Sequence, residues 1–267
     1  MRPIRAFSPT LLLLAAGTAG LAAESAPLNG STLVVTGERE TERLPATAST
    51  ATRTSTPLQE TPQSIQVLPR AILDDQRSLT LTEALTNVSG LRSSPMLNQN
   101  LDPSRERLIR GFNAETYRNG MPLFYNAGDR ESLANVERVE VLKGPSALLF
   151  GSGVGAPTGG LINLVLKQPE EQAHYAAGIN AGSYGLLSGN IDLNQPLDAG
   201  KTVLTRVTAE VGQSRSHIDT ITTERGSVDP TIALRNAHGT TLTLHGRWSQ
   251  RLQQDYPNGV QLGHKLM

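Results

Sequence analysis

From His174 onward the sequence alternates. Tyr175, Ala177, Ile179 and Ala181 fall on one side of the period, and His174, Ala176, Gly178 and Asn180 on the other. Leu187, Gly189, Ile191 and Leu193 then alternate with Ser188, Asn190, Asp192 and Asn194. Val203, Val207, Ala209 and Val211 do so with Leu204, Arg206, Thr208 and Glu210. Val228, Pro230, Ile232 and Leu234 continue the pattern more weakly, and Leu242, Leu244 and Trp248 oppose Thr241, Thr243, His245 and Arg247. Turn sequences at Asp198-Ala199-Gly200 and Asn236-Ala237-His238-Gly239 lie between these runs. Successive side chains of a strand point to opposite faces, so each run of about ten residues predicts a strand with one apolar and one polar face. Five such strands describe a barrel wall, with lipid outside, lumen within, and Tyr175 and Trp248 placed for the interfacial girdles. A soluble β-sandwich alternates in the same way. Strand length and the leader sequence favour the barrel.

That leader has Arg2 and Arg5 ahead of an unbroken apolar run over residues 11–16, then small residues up to Ala22-Ala23. Charge order and length are those of a secretory signal peptide over residues 1–23. As a membrane anchor the run is short, since spanning needs about 20 apolar residues. No later stretch is long enough for a transmembrane helix. An exported chain without one is expected to be either soluble or a closed barrel, the other structure that satisfies its backbone in lipid. Cysteine is absent, which excludes disulfides, thiolate catalysis and Cys-based metal sites. Lys+Arg and Asp+Glu both number 24, so the net charge is zero and nothing points to a nucleic-acid partner.

Residues 24–60 contain one β-prone island, Thr32-Leu33-Val34-Val35-Thr36, followed at 38–60 by a Thr-, Ser-, Pro- and charge-rich stretch that reads as a flexible linker. The island cannot bury itself locally. It is either a chance pentad or an extended peptide offered to a partner's sheet edge. Residues 61–170 read as an α+β globule. Strands are expected at 64–68, 108–112, 117–124, 136–142 and 161–166, and short helices at 70–76, 80–88 and 145–150. The helix at 80–88 starts with Thr80 and Glu83 in capping-box spacing and has Gly90 beyond its end. Asn119-Gly120 is a hairpin-turn pair.

Within this globule, Thr61-Pro62-Gln63-Ser64-Ile65-Gln66-Val67, Arg110-Gly111-Phe112, Asn119-Gly120, Val136-Glu137-Arg138-Val139-Glu140-Val141-Leu142-Lys143-Gly144-Pro145 and Gly159-Gly160-Leu161-Ile162-Asn163 follow in a fixed order. Together they resemble the plug domain of TonB-dependent siderophore receptors. The resemblance implies a plug held inside an outer-membrane barrel of about 22 strands. It also implies a ferric siderophore bound on the extracellular side, with energy supplied by the inner-membrane TonB complex. The fold expected is therefore an α+β plug followed by the first antiparallel strands of an incomplete outer-membrane β-barrel, over 171–267, in a Gram-negative cell. By the same resemblance, Thr32, Leu33, Val34, Val35 and Thr36 are the TonB box. Arg110 and Lys143 face barrel-wall carboxylates, although the family more often has Arg at the second position. Arg92, Phe124, Tyr125 and Asn126 stand where apical loops meet the ligand.

No enzyme, cofactor or metal site is expected; the ferric siderophore is cargo. Gly151-Ser152-Gly153-Val154-Gly155-Ala156 mimics a dinucleotide loop, but that fingerprint needs a strand before it and a helix after it. The five histidines, at 174, 217, 238, 245 and 264, have no helical metal-ligand spacing. Five strands fall far short of the family's wall, so a truncated product or one piece of a split gene is expected. The alternatives are a periplasmic binding module made of the plug alone, a non-functional fragment, a signal-transducing receptor, or a receptor for haem or cobalamin.

Overall fold

Two sheets and three short helices make up the described part of the chain. The computed structural model describes residues 47–54, 56–93, 107–123, 132–145, 150, 158–215 and 222–253. All of these belong to one compact unit. Among them no helix is long and apolar enough to cross a membrane, which says nothing of strands. The expected signal peptide and the 32–36 island lie outside the described residues.

The first sheet runs in the order β1 (Ser64–Pro69), β6 (Val136–Lys143), β7 (Gly160–Leu166), β4 (Phe112–Arg118), β3 (Arg107–Ile109), β2 (Leu91–Ser93), with β5 (Met121–Pro122) folded back on β4. Only β4 and β7 pair in parallel. The expected strand at 108–112 is instead a hairpin. Arg110 and Gly111 both have positive φ (53° and 87°) and link Ile109 to its ladder partner Phe112. Positive φ at both central residues gives the tight turn whose twist matches its flanking strands, and holding an arginine there stores strain. Asn119-Gly120 repeats the device between Arg118 and Met121, with φ of 47° and 78°.

Helices α2 (Arg70–Asp75) and α3 (Leu81–Leu85) cover one face of this sheet. The reciprocal cap expected at Thr80 is present: its side chain accepts from the Glu83 N–H while the Glu83 carboxylate accepts from the Thr80 N–H. The two helices present Leu73, Leu81, Ala84 and Leu85 to Val139, Val141, Ile162 and Leu164, forming the main core. A smaller cluster on the other face holds Tyr117, Leu142 and Leu161, with Ile65 and Phe150 against it.

That second face corrects the linker reading for residues 47–60. Helix α1 (Ser49–Thr52), a Thr47–Pro57 bridge and a 3-10 turn at Leu58–Glu60 order this stretch. Ala48 and Thr50 are buried on the sheet. Polar composition suggested disorder because the groups that satisfy it, on Glu140 and Asn163, lie 90 and 113 residues away.

The second sheet comprises β8 (His174–Gly182), β9 (Leu186–Pro196), β10 (Val203–Arg215), β11 (Thr222–Arg235), β12 (Thr241–His245) and β13 (Trp248–Gln253). It is antiparallel throughout, and β12 and β13 both pair with β11. They form one broken strand, so among the described residues the wall is five strands wide, as expected. The break lies opposite Pro230, whose carbonyl accepts from Gly246 N at 2.8 Å, and a proline cannot donate to the ladder. Faces follow the alternation. Ser188, Asp192, Asn194, Arg206, Thr208, Glu210, Ser227, Asp229 and Thr231 are buried. Tyr175, Ile179, Leu187, Ile191, Leu193, Val211, Ile232, Leu234, Leu242, Leu244 and Trp248 are exposed. A polar interior and an apolar exterior are the reverse of a soluble sandwich.

Candidate functional site

The buried polar face of the wall is where the two sheets meet. Register places His174, Asn194, Arg206, Thr231 and His245 in one row across it. The next row contains Asp192, Thr208 and Asp229, and the one after it Asn190, Glu210 and Ser227. Three carboxylates thus stand on a face that water reaches poorly, and each is paired. Asp192 accepts from Lys167 Nζ at 2.8 Å and from Arg206 Nε and Nη2, both at 2.8 Å. Glu210 pairs with Arg225 at 2.7 Å and accepts from the Ser132 hydroxyl. Asp229 lies 3.6 Å from Arg247.

Several of these contacts tie the plug sheet to the wall. Lys167 follows the last plug strand, and Arg206 also donates to the Gln168 carbonyl at 2.9 Å and to Glu170 at 3.0 Å. Asn194 accepts from Glu170 N and donates to the carbonyls of Glu170 and Gln172, gripping the backbone of the junction. At its outer edge Glu171 pairs with Arg235 and Lys201, which hold its carboxyl below the usual range. Buried charges are tolerated only when paired and hydrogen-bonded, so parting plug from wall at this root would leave buried charges without partners. A second contact joins Asn119, at the β4–β5 turn, to His245 at 3.5 Å. Beside it a cavity of about 310 Å³ lies between Arg118, Leu123 and Leu166 of the plug and Asp229, His245 and Arg247 of the wall.

The residues singled out from the sequence fall elsewhere. Phe124, Tyr125, Asn126 and residues 32–36 lie outside the described residues. Arg92 is exposed on β2, opposite Leu108. Arg110 and Lys143 do come together. Lys143 donates to Gln66 at 2.9 Å and Ser89 at 2.8 Å, and Arg110 donates to Ser64 at 3.2 Å. Burial, and then the nearby Arg110 charge, lower the Lys143 pKa. Among the described residues neither cation makes an ion pair with a wall carboxylate. The plug–wall contacts of Lys167, Asp192, Arg206, Glu210 and Ser132 were not anticipated. Charges on the inward period of β9 and β10 were the available signal, but their partners follow only from register and docking.

Residues 57–158 match the family model of the TonB-dependent receptor plug domain. The chain belongs to the TonB-dependent receptors. Among curated relatives, the metal-pseudopaline receptor CntO of Pseudomonas aeruginosa is 34% identical over 231 residues, 82% of this chain and 31% of that protein. The catecholate siderophore receptor Fiu of Escherichia coli O157:H7 is 30% identical over 246 residues, 90% of this chain and 31% of that one. Of solved structures, the pyoverdine outer-membrane receptor FpvA of P. aeruginosa PAO1 superposes with a TM-score of 0.71 at 28% identity, covering 79% of this chain and 31% of FpvA. This TonB-dependent receptor chain spans about a third of the length of the curated relatives it matches. Its two sheets are a plug and part of an outer-membrane barrel wall, and its relatives are named as receptors, not enzymes.

Proposed function

We propose that this chain is the plug and first wall strands of a receptor that imports ferric siderophores across the outer membrane. The observation that carries the reading is the docking of a plug sheet, through buried ion pairs, on the polar side of a wall whose other side is apolar. Relatives named for pseudopaline, catecholate and pyoverdine chelates give the cargo class. Residues 1–23 direct export. Residues 32–36 form the box that adds a strand to TonB, and the apolar face meets lipid. Arg110 and Lys143 face carboxylates of further wall strands, and Arg92, Phe124, Tyr125 and Asn126 face the chelate.

Uptake of radiolabelled iron tests this reading. The chain is expressed as part of a receptor whose barrel wall is complete, in a host lacking its own siderophore receptors, with a panel of hydroxamate, catecholate and mixed chelates. TonB-dependent accumulation with one chelate class is expected, and Val34→Pro removes it by deleting a main-chain donor in the box. Binding of the chelate without TonB-dependent accumulation would refute the transport role. Unchanged crosslinking of the Val34→Pro chain to TonB would refute strand addition at 32–36.

A further inference from the structure

The contacts between plug and wall differ in chemistry. The root and the Ser132–Glu210 contact use buried ionised groups. The contact of Asn119 with His245 joins two uncharged groups, and both side chains are exposed. Their other hydrogen bonds fix where the protons are. Asn119 Oδ1 already accepts from Leu166 N at 2.9 Å, so the amide turns its donor, Nδ2, to His245 Nε2. An amide NH2 only donates, so Nε2 must carry a lone pair. The ring proton is then on Nδ1, which donates to Thr231 Oγ1 at 3.1 Å. A flipped amide would set Nδ2 against the Leu166 N–H, donor to donor. The contact therefore exists only while the imidazole is neutral.

A second proton would enter at Nε2, the side that Asn119 occupies. Two donors then meet and the hydrogen bond is lost. The new charge is also poorly placed. The other charged groups lining the adjacent cavity are Arg118 on β4, Asp229 on β11 and Arg247, two residues along from His245. Asp229, the only carboxylate among these, already faces Arg247 at 3.6 Å. His174, in the same row at the opposite edge of the wall, has different neighbours. Its Nε2 meets Arg206 Nη2 at 3.4 Å, but Glu170 stands 3.8 Å from its Nδ1, a carboxylate at hand for an imidazolium.

We propose that His245 is a proton-operated latch: neutral, it holds the Asn119-Gly120 hairpin of the plug against the wall, and protonated, it lets the hairpin go. Release opens the plug–wall seam at the cavity while the ion-paired root keeps the plug attached. The hairpin itself persists. Asn119 N donates to the Leu164 carbonyl at 2.9 Å and Gly120 N to Asn163 Oδ1 at 3.0 Å, bonds in which His245 has no part. Imidazole changes its charge between about pH 5 and pH 8. The seam is therefore closed at neutral pH and loosens as the medium turns acid. That this seam gates a chelate rests on the transport reading; the latch itself does not.

The chain has no cysteine, so a pair of thiols can be introduced for spin labels. Met121 on the hairpin is 70% exposed and Leu242 on the wall 56% exposed. The full chain in detergent, labelled at Met121→Cys and Leu242→Cys, is measured by double electron–electron resonance at about pH 7.5 and about pH 5. One distance is expected near neutrality. A longer, broader component should be about fivefold more populated in acid, the worth of one neutral hydrogen bond, and should vanish when the pH is restored. His245→Gln keeps an acceptor for Asn119 and gains no charge, so its distances should not change with pH. Asn119→Asp offers an imidazolium a carboxylate partner and should also abolish the acid response, which serves if His245→Gln does not fold. His174→Gln should leave the response intact. An acid response that survives in His245→Gln or Asn119→Asp would overturn the latch, as would its loss in His174→Gln or its absence while His245 is in place. Iron uptake is not read in this assay, so it can fail or succeed independently of the transport reading.

Discussion

Removing the Asp192 carboxylate should loosen the plug at its root, and the size of the effect follows from what it leaves behind. Asp192 is 7% exposed and receives three bonds of 2.8 Å from two cations. In Asp192→Ala, Arg206 keeps Glu170 and the Gln168 carbonyl, while Lys167 loses its partner in a site with little water. Breaking a buried pair from one side costs about 3–5 kcal/mol, and the surviving Arg206 bonds place this case near the lower end. The population with the junction detached should therefore rise about a hundredfold. Cleavage of the 167–173 backbone by a non-specific protease, in the limit where opening is fast, reads that population directly.

Arg206→Ala should have a comparable effect, and the double variant should be only slightly worse than either single one, a coupling of about 2 kcal/mol. Salt should change the wild-type rate little, since buried pairs are weakly screened. Additive single effects, or an Asp192→Ala rate within about threefold of wild type (less than 1 kcal/mol), would refute the root as an ion-paired anchor.

Two other perturbations separate causes that the structure distinguishes. An added Cβ at Gly160 would lie 2.0 Å from the Leu142 carbonyl oxygen at a φ of +127°, whereas Gly144 has a φ of +115° and nothing within 4 Å. Gly144→Ala should cost about 1–2 kcal/mol of backbone strain, and Gly160→Ala several kcal/mol more because β6 and β7 must separate; equal losses in thermal unfolding would remove the close-approach argument. At the β9–β10 turn, bonds from Val203 N at 2.7 Å and from Thr202 N and Oγ1 at 3.0 and 2.8 Å hold the Asp198 carboxyl below its ordinary 3.8. A depressed folded value stabilises the turn above about pH 4 and releases it as pH falls through that value, so amide exchange at Thr202 and Val203 should accelerate in acid. Asp198→Asn should flatten this dependence, and an unchanged acid profile in that variant would show that another group controls it.

Signals carried by neighbours in sequence determined much of this protein. The Thr80–Glu83 cap, the Asn119-Gly120 turn and the alternating faces of β8 to β13 each depend on residues within a few positions, and all were legible. The ordered motifs from Thr61 to Asn163 identified the plug. Tertiary structure decided what depends on distant partners. Residues 47–54 look unstructured because Thr50 finds its partners on Glu140 and Asn163 only after β6 and β7 have paired. Arg110 and Gly111, read as the end of a strand, form a turn because both take positive φ and β4 pairs back on β3, a pairing that alternation cannot signal. Asp192, Arg206 and Lys167 appear in the sequence as three unrelated polar residues. Two ladders and one docked sheet bring them together where little water remains, and only there must each charge have a partner.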